Sequence, residues 1–158
     1  MIDVQEILAL HQKTVANWHE RAIDNPYEGF LRMVCFQHQQ NFRLWHQEDI
    51  ARSPDVGDVE VAGVKRSIDK LNQQRNDLIE RLDDYIIADI LAAGVRPAAD
   101  ARLNTETPGS AIDRLSILAL RIYHMREQAD RADAEAAHRR KAEDRLLILH
   151  QQHEDLSG

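Results

Sequence analysis

The sequence contains a single cysteine, Cys35, which excludes an intramolecular disulfide or a thiolate zinc cluster and fits a reducing compartment. Six glycines and four prolines among 158 residues leave little material for long loops. Aromatic residues make up only 5% of the chain, so the core must be largely aliphatic. No apolar run approaches the roughly 18 residues that a membrane span requires. The opening "MIDVQEILAL" has no basic n-region of a secretory signal, and the expectation is a cytoplasmic protein without a membrane partner. Positive charge is also short: 20 Lys and Arg against 27 Asp and Glu give a net charge of −7, which opposes general binding to a nucleic-acid backbone. There is no P-loop, no G-x-G-x-x-G and no H-E-x-x-H, so phosphate-loop and zinc-protease chemistries lose their usual signatures.

What is abundant is helical periodicity. Asp3 can cap a first helix running to about Asp24, with Ile7, Leu8, Val15, Trp18 and Ala22 on its apolar face. "DNPYEG" breaks it, with Pro26 suited to the first turn of a second helix that spans about Tyr27 to Ala51. "SPDVGD" forms the next turn, and a long third helix follows from about Asp58 to Ala93, with Gly94 as its C′ residue. Thr107 and Pro108 mark the N-cap and first turn of a fourth helix that is apolar on most sides, as a helix in the middle of a bundle should be. A turn near Asp130–Asp133 returns the chain into a fifth helix that reaches about Leu156. No segment alternates with period two. The expected fold is therefore all-α: residues 1–158 as one domain, a single bundle of about five helices with the fourth central.

Displacing the sequence by 78 residues lays "LWHQED" on "IYHMRE" and "LNQQRNDL" on "LHQQHEDL". Helices two and three could thus be echoed by helices four and five as two pseudo-repeated hairpins. A limited helical alphabet would produce the same similarity.

In "NFRLWHQEDIARSPD" polar residues occupy a stripe that should be apolar. On the second helix Leu31, Val34, Phe42 and Trp45 define that stripe, yet His38, Asn41, Asp49 and Arg52 fall within about 60° of its centre, with Glu48 at its edge and His46 alongside. On the third helix Arg75 lies close to the middle of the apolar face. Lys65, Asp69, Asn72 and Asn76 line one flank at i, i+4, i+7 and i+11. An antiparallel pairing across residues 53–57 brings the two groups together. Buried charge must be paired or liganded, and three roles fit this group. The first is a register-fixing salt-bridge network, with Arg75 clamped by Asp49 or Glu48. The second is a site for a divalent cation such as Mg²⁺ or Mn²⁺, or a cation-bound phosphate, on Glu48, Asp49 and Asp69 with His46 nearby. The third is a metal-free anion pocket using Lys65, Arg75 and Arg114. The free N–H groups at "NTETPGS", with Ser110 and Arg114, form either a separate anion site or simply a well-capped helix. Asp113 and His124 share a second face of the fourth helix, where a histidine is more often a hydrogen-bonded core residue than a ligand. Cys35 lies among apolar residues and is read as core rather than nucleophile.

"NFRLWHQEDIAR", "VKRSIDKLNQQRNDLIE" and "NTETPGSAIDRLSILALRIYHM" together resemble the bacterial family catalogued as domain of unknown function 4254, over about residues 5–156. The resemblance implies a bacterial protein and carries no established activity. It coincides with the segments singled out on physical grounds.

Two functions are expected from these residues. One is a pocket between helices two, three and four for a phosphorylated or other anionic small molecule, with or without a divalent cation, using Asn41, Trp45, His46, Glu48, Asp49, Arg52, Lys65, Asn72, Arg75, Asn76, Ser110 and Arg114. In a catalytic version Asp49 or Glu48 would hold the metal or act as base, His46 would shuttle a proton and Arg75 would neutralise developing negative charge. The other is an interaction module that forms a homodimer or docks onto an enzyme, with the polar residues serving register alone.

Overall fold

The computed structural model describes residues 2–158 and, among them, five α-helices and no strand. These are α1 (Val4–Glu20), α2 (Gly29–Arg52), α3 (Asp58–Ala92), α4 (Pro108–Asp130) and α5 (Ala136–Ser157). Cross-contacts fix their directions. His11 and His19 of α1 meet His38 and His46 of α2 in the same order, and α2 stays in step with α4 from His38 against Ser116 to His46 against His124. These three helices therefore run parallel. α3 runs the other way, with Arg75 against Asp113 and Asp83 against Gly109. α5 folds back along α4, its His138 near Gln128 and its His150 near Arg126. α4 packs against each of the other four helices, the central place its apolar girth predicts. No described helix is long and apolar enough to cross a membrane.

The expected boundaries hold for α3 and α4. Thr107 accepts a hydrogen bond from Ser110 N–H as N-cap, and Gly94 takes φ +74° just beyond α3. α1 is shorter than expected, ending at Glu20 instead of near Asp24. Parallel packing explains the difference: α2 must begin beside the start of α1, where Ile2, Asp3 and Glu6 share a hollow with Glu28, Phe30 and Leu31. A 17-residue helix is about 26 Å long. The extended segment 21–28 covers that length at about 3.3–3.6 Å per residue, so those residues, Pro26 included, form a strap rather than helix. Asp24 ties the strap down, accepting from Trp18 Nε1 at 3.2 Å through its side chain and from Gln39 Nε2 at 2.9 Å through its carbonyl.

α2 departs from simple amphipathicity. Every residue from Gln37 to Phe42 is buried, because α1, α3, α4 and the strap surround this stretch on all sides. Around it lies an apolar cluster that includes Ile7, Leu10, Val15, Trp18, Val34, Cys35, Leu82, Ile86, Ile112 and Leu120. Cys35 is free and burial pushes its thiol up to about 12, the inert core thiol expected. The hairpins α2–α3 and α4–α5 are the most extensively packed pairs. Two residue pairs related by the 78-residue displacement, His38 with Ser116 and His46 with His124, face each other between α2 and α4, as equivalent positions near a pseudo-twofold axis would.

Candidate functional site

A buried polar network sits where α2, α3 and α4 meet. Asp113 on α4, 3% exposed, accepts from four donors. Arg75 of α3 grips it with two hydrogen bonds, Nε to Oδ1 at 2.8 Å and a terminal guanidinium nitrogen to Oδ2 at 2.6 Å, the bidentate geometry that gives Arg–carboxylate pairs their strength. Asn41 Nδ2 donates to Asp113 Oδ1 and to Ser116 Oγ, both at 2.9 Å, and Gln37 Nε2 also donates to Oδ1. Ser116 Oγ in turn pairs with His38 Nδ1 at 2.6 Å. His38 packs against His11 and Trp18, with ring centroids 4.7 and 5.2 Å apart. Burial depresses His38 to about 3 and His11 well below its ordinary range, so both rings are neutral. Arg75 is thus clamped, as one of the expected roles required, but by Asp113 rather than by Asp49 or Glu48. Glu48 instead pairs with Arg52 one turn along α2, at 3.4 Å on the surface.

Above this floor a groove of about 260 Å³ opens between the same three helices. α2 lines it with Asn41, Leu44, Trp45, Glu48, Asp49 and Arg52, α3 with Asn72 and Arg75, and α4 with Ile117 and Leu120. Asp49 and Asn72 form no side-chain hydrogen bond to another described residue, so their polar atoms are free for a ligand. The apolar wall comes from Leu44, Ile117 and Leu120; the indole of Trp45 stacks on His124 at 4.6 Å and 5°, which fixes its orientation.

The other expected residues lie elsewhere. Lys65, Asp69 and Asn76 are exposed on α3 and line none of this groove, so Asp69 does not join Glu48 and Asp49 around one point. The reason is rotational: Arg75 lies on the apolar face of α3 and Asn72 at its edge, whereas Lys65, Asp69 and Asn76 lie further round the helix in solvent. The start of α4 is closed by the chain itself. Asp83 Oδ1 accepts from Gly109 N–H at 2.7 Å, Thr107 takes Ser110 N–H, and Arg114 is paired with Glu106 at 2.6 Å. The anion attracted to that helix terminus is the carboxylate of α3. Glycine is required there, since a Cβ on Gly109 would lie 2.6 Å from the carbonyl oxygen of Ile79.

His46 turns away from the groove onto an adjoining face of α2, where it meets His19 of α1 and His124 of α4. One nitrogen from each ring lies within 4.8 Å of the others, and all three rings are half-buried. Burial, with the neighbouring histidines, lowers His46. Burial also lowers His124, against a hydrogen bond from its Nδ1 to Glu127 Oε2 at 2.9 Å. The residues missed from the sequence are Gln37 and Ser116 in the floor and His19 in this cluster, and Asp113 was placed on a second face of the fourth helix but not assigned to the site. The available signals were spacings: Gln37 and Asn41 at i, i+4, and Asp113 and Ser116 at i, i+3 among the apolar residues of the first half of α4.

Fold and site together define the class: an all-α helical bundle whose three converging helices enclose a buried ion-pair network beneath an open polar groove. The family model described as "Protein of unknown function (DUF4254)" matches residues 31–158, and the chain belongs to that family. No curated protein and no solved structure matches it.

Proposed function

We propose that the α2–α3–α4 groove binds a small anionic molecule, of the size of a phosphorylated metabolite, together with a divalent cation. The convergence of Asn41, Trp45, Glu48, Asp49, Arg52, Asn72 and Arg75 from two helices onto one groove carries this reading. Charge balance refines it. Both arginines already face a carboxylate, Arg75 with Asp113 and Arg52 with Glu48, whereas Asp49 is uncommitted. A bare anion would therefore meet an unbalanced carboxylate. A cation carried with the anion satisfies Asp49, and Glu48 can swing to it from a loose exposed contact, while the guanidinium edges of Arg52 and Arg75 face the anion. Asn41 and Asn72 supply the directional hydrogen bonds that select a ligand.

Titration of the protein with sugar phosphates and nucleotides, with and without Mg²⁺ or Mn²⁺, tests this through Trp45 fluorescence, since Trp18 is buried and lines none of the groove. A saturable change that Asn72→Leu abolishes supports the groove. Saturable binding unaffected by both Asn72→Leu and Asp49→Asn refutes it.

One observation favours the rival reading as an interaction module. Ile87, Ile90 and Leu91 at the end of α3, and Val95 beyond it, are 42–55% exposed, apolar surface of the kind that proteins use for association. Sedimentation across a concentration series, with Ile87→Glu as the control, decides whether this surface joins two copies.

A further inference from the structure

We propose that His19, His46 and His124 form a binding site for a divalent transition metal of the zinc class. The site adjoins the groove, with Trp45 and Asp49 between the two, but its three histidines line none of the groove.

Parallel packing creates it. Because α1, α2 and α4 run in the same direction, one histidine from each reaches the same level. Ring centroids are 5.2 Å (His19–His46), 4.9 Å (His19–His124) and 5.9 Å (His46–His124) apart, and the planes are inclined by 64°, 72° and 78°. No pair is stacked; the rings meet at steep angles, and one nitrogen of each lies within 4.8 Å of the others.

The hydrogen bonds decide which nitrogens are available. His19 Nδ1 lies 2.7 Å from the carbonyl oxygen of Val15, and His124 Nδ1 lies 2.9 Å from the Glu127 carboxylate. Both oxygens can only accept, so each Nδ1 carries its proton and each Nε2 presents a lone pair. Both Nε2 atoms are buried and have no hydrogen-bond partner. An unpartnered buried acceptor is costly; two of them converging beside a third imidazole call for a Lewis acid. An outer nitrogen donated to a backbone carbonyl or a carboxylate is also the arrangement that orients metal-ligating histidines.

The surroundings complete the site. Tyr123 stacks on His19 at 4.3 Å and Trp45 on His124 at 4.6 Å, bracing both rings. Asp49 and Glu127 lie close enough to act on both His46 and His124, and their negative charge offsets that of a dication. Burial and the neighbouring histidines lower His46 and His124, favouring the neutral form that ligates.

The donor set selects the ion. Imidazole suits zinc, copper, nickel and iron, whereas Mg²⁺ demands oxygen ligands. A tetrahedral zinc with bonds of about 2.0–2.1 Å places its nitrogens about 3.4 Å apart. The present spacing of up to 4.8 Å therefore closes by at most about 1.4 Å through side-chain rotation. Three protein nitrogens leave one tetrahedral position for solvent or a ligand.

The experiment is calorimetric titration of the full chain, stripped with EDTA, with Zn²⁺ alone, and with Mg²⁺ as control. Co²⁺ serves as a spectroscopic stand-in. The expected result is one Zn²⁺ per chain, no Mg²⁺ uptake, and a Co²⁺ visible spectrum of tetrahedral intensity. His46→Ala, with unchanged helicity by circular dichroism, should weaken Zn²⁺ binding by more than about 100-fold. Glu127→Gln, at a half-exposed position that threatens the fold little, should weaken it about 10- to 100-fold. His138→Ala and His150→Ala on α5 should leave it unchanged. Absence of Zn²⁺ binding by the wild type overturns the proposal. So does binding that survives both His46→Ala and Glu127→Gln, or that disappears with His138→Ala or His150→Ala.

Discussion

Replacing Asp113 by Leu is expected to be among the most damaging single changes in this protein, and replacing Arg75 by Met at the same time should repair part of the damage. Asp113 is 3% exposed and receives the hydrogen bonds of Gln37, Asn41 and Arg75. Its loss strands a guanidinium and removes an acceptor from two buried amides. Breaking a buried ion pair from one side costs about 3–5 kcal/mol, and Asp113→Leu should fall in the upper part of that range. The Arg75 side chain is 26% exposed, so water helps a stranded partner and Arg75→Met should cost about 3 kcal/mol. With both charges removed no stranded ion remains. The double variant should then be about 1–3 kcal/mol more stable than the sum of the single losses implies. Urea unfolding followed by far-UV circular dichroism measures all four corners of the cycle. A slope of about 2 kcal/mol per molar converts a 3 kcal/mol loss into a midpoint shift of about 1.5 M. Additivity within about 0.5 kcal/mol, or a cost below about 1 kcal/mol for Asp113→Leu, would refute the coupled network.

Three further outcomes follow from the same geometry. Gly109→Ala forces a Cβ to within 2.6 Å of the Ile79 carbonyl oxygen and should cost about 1–3 kcal/mol as overpacking; an unchanged melting temperature would show that α3 and α4 separate freely there. Gly63→Ala, in the first half of α3 with open space around a new Cβ, should instead stabilise by about 0.5–1 kcal/mol through helix propensity, and a loss measured by the same melts would contradict that placement. Stability should also fall with acid. His38 is held at about 3 and His11 well below 6.5 when folded, so below 6.5 the unfolded chain binds more protons. The loss is absent above about pH 7.5 and grows as pH falls from 6.5 towards 3. At about pH 5 His38 alone removes about 2 kcal/mol, with His11 acting in the same direction. An unfolding midpoint that stays flat between pH 7 and pH 5 would rule this out.

The helices were legible because their signals are local. Asp3, Thr107 and Gly94 mark helix ends through their own backbone and side-chain chemistry, and the apolar periodicity of Val64, Leu71, Leu82 and Ile86 marks one face of α3. The end of α1 was not legible, because parallel packing of α1 and α2 forces residues 21–28 into a strap, and nothing in "RAIDNPYE" encodes that tertiary demand. The groove-lining residues of α2 were legible because Asn41, Glu48 and Asp49 violate the apolar stripe of one helix. Arg75 was visible for the same reason. Its partner was not, since Asp113 and Asp49 are equally plausible carboxylates until the rotation of α4 against α3 is known. That rotation also separates Lys65, Asp69 and Asn76 from the groove, although their spacing places them on the same flank as Asn72. The two faces of α2 explain His46: the sequence grouped it with Asp49 by proximity along the chain, whereas its ring turns to His19 and His124.

The central claim is that the groove above the Arg75–Asp113 pair holds a small anionic ligand with a divalent cation. Thermal unfolding against a panel of sugar phosphates and nucleotides with Mg²⁺ or Mn²⁺ tests it most directly, comparing wild type with Asp49→Asn and Asn72→Leu. These two residues line the groove without supporting the fold through hydrogen bonds, so their replacement separates binding from stability. A ligand present at about 100 times its dissociation constant should add about 2.7 kcal/mol, or about 5–10 °C in a chain of this size. The account predicts such a shift for the wild type and its loss in both variants, whose own melting temperatures stay close to that of the wild type. A shift that persists in both variants would place the ligand elsewhere. No shift across the panel, with both variants melting early, would make these residues part of the scaffold and contradict the claim.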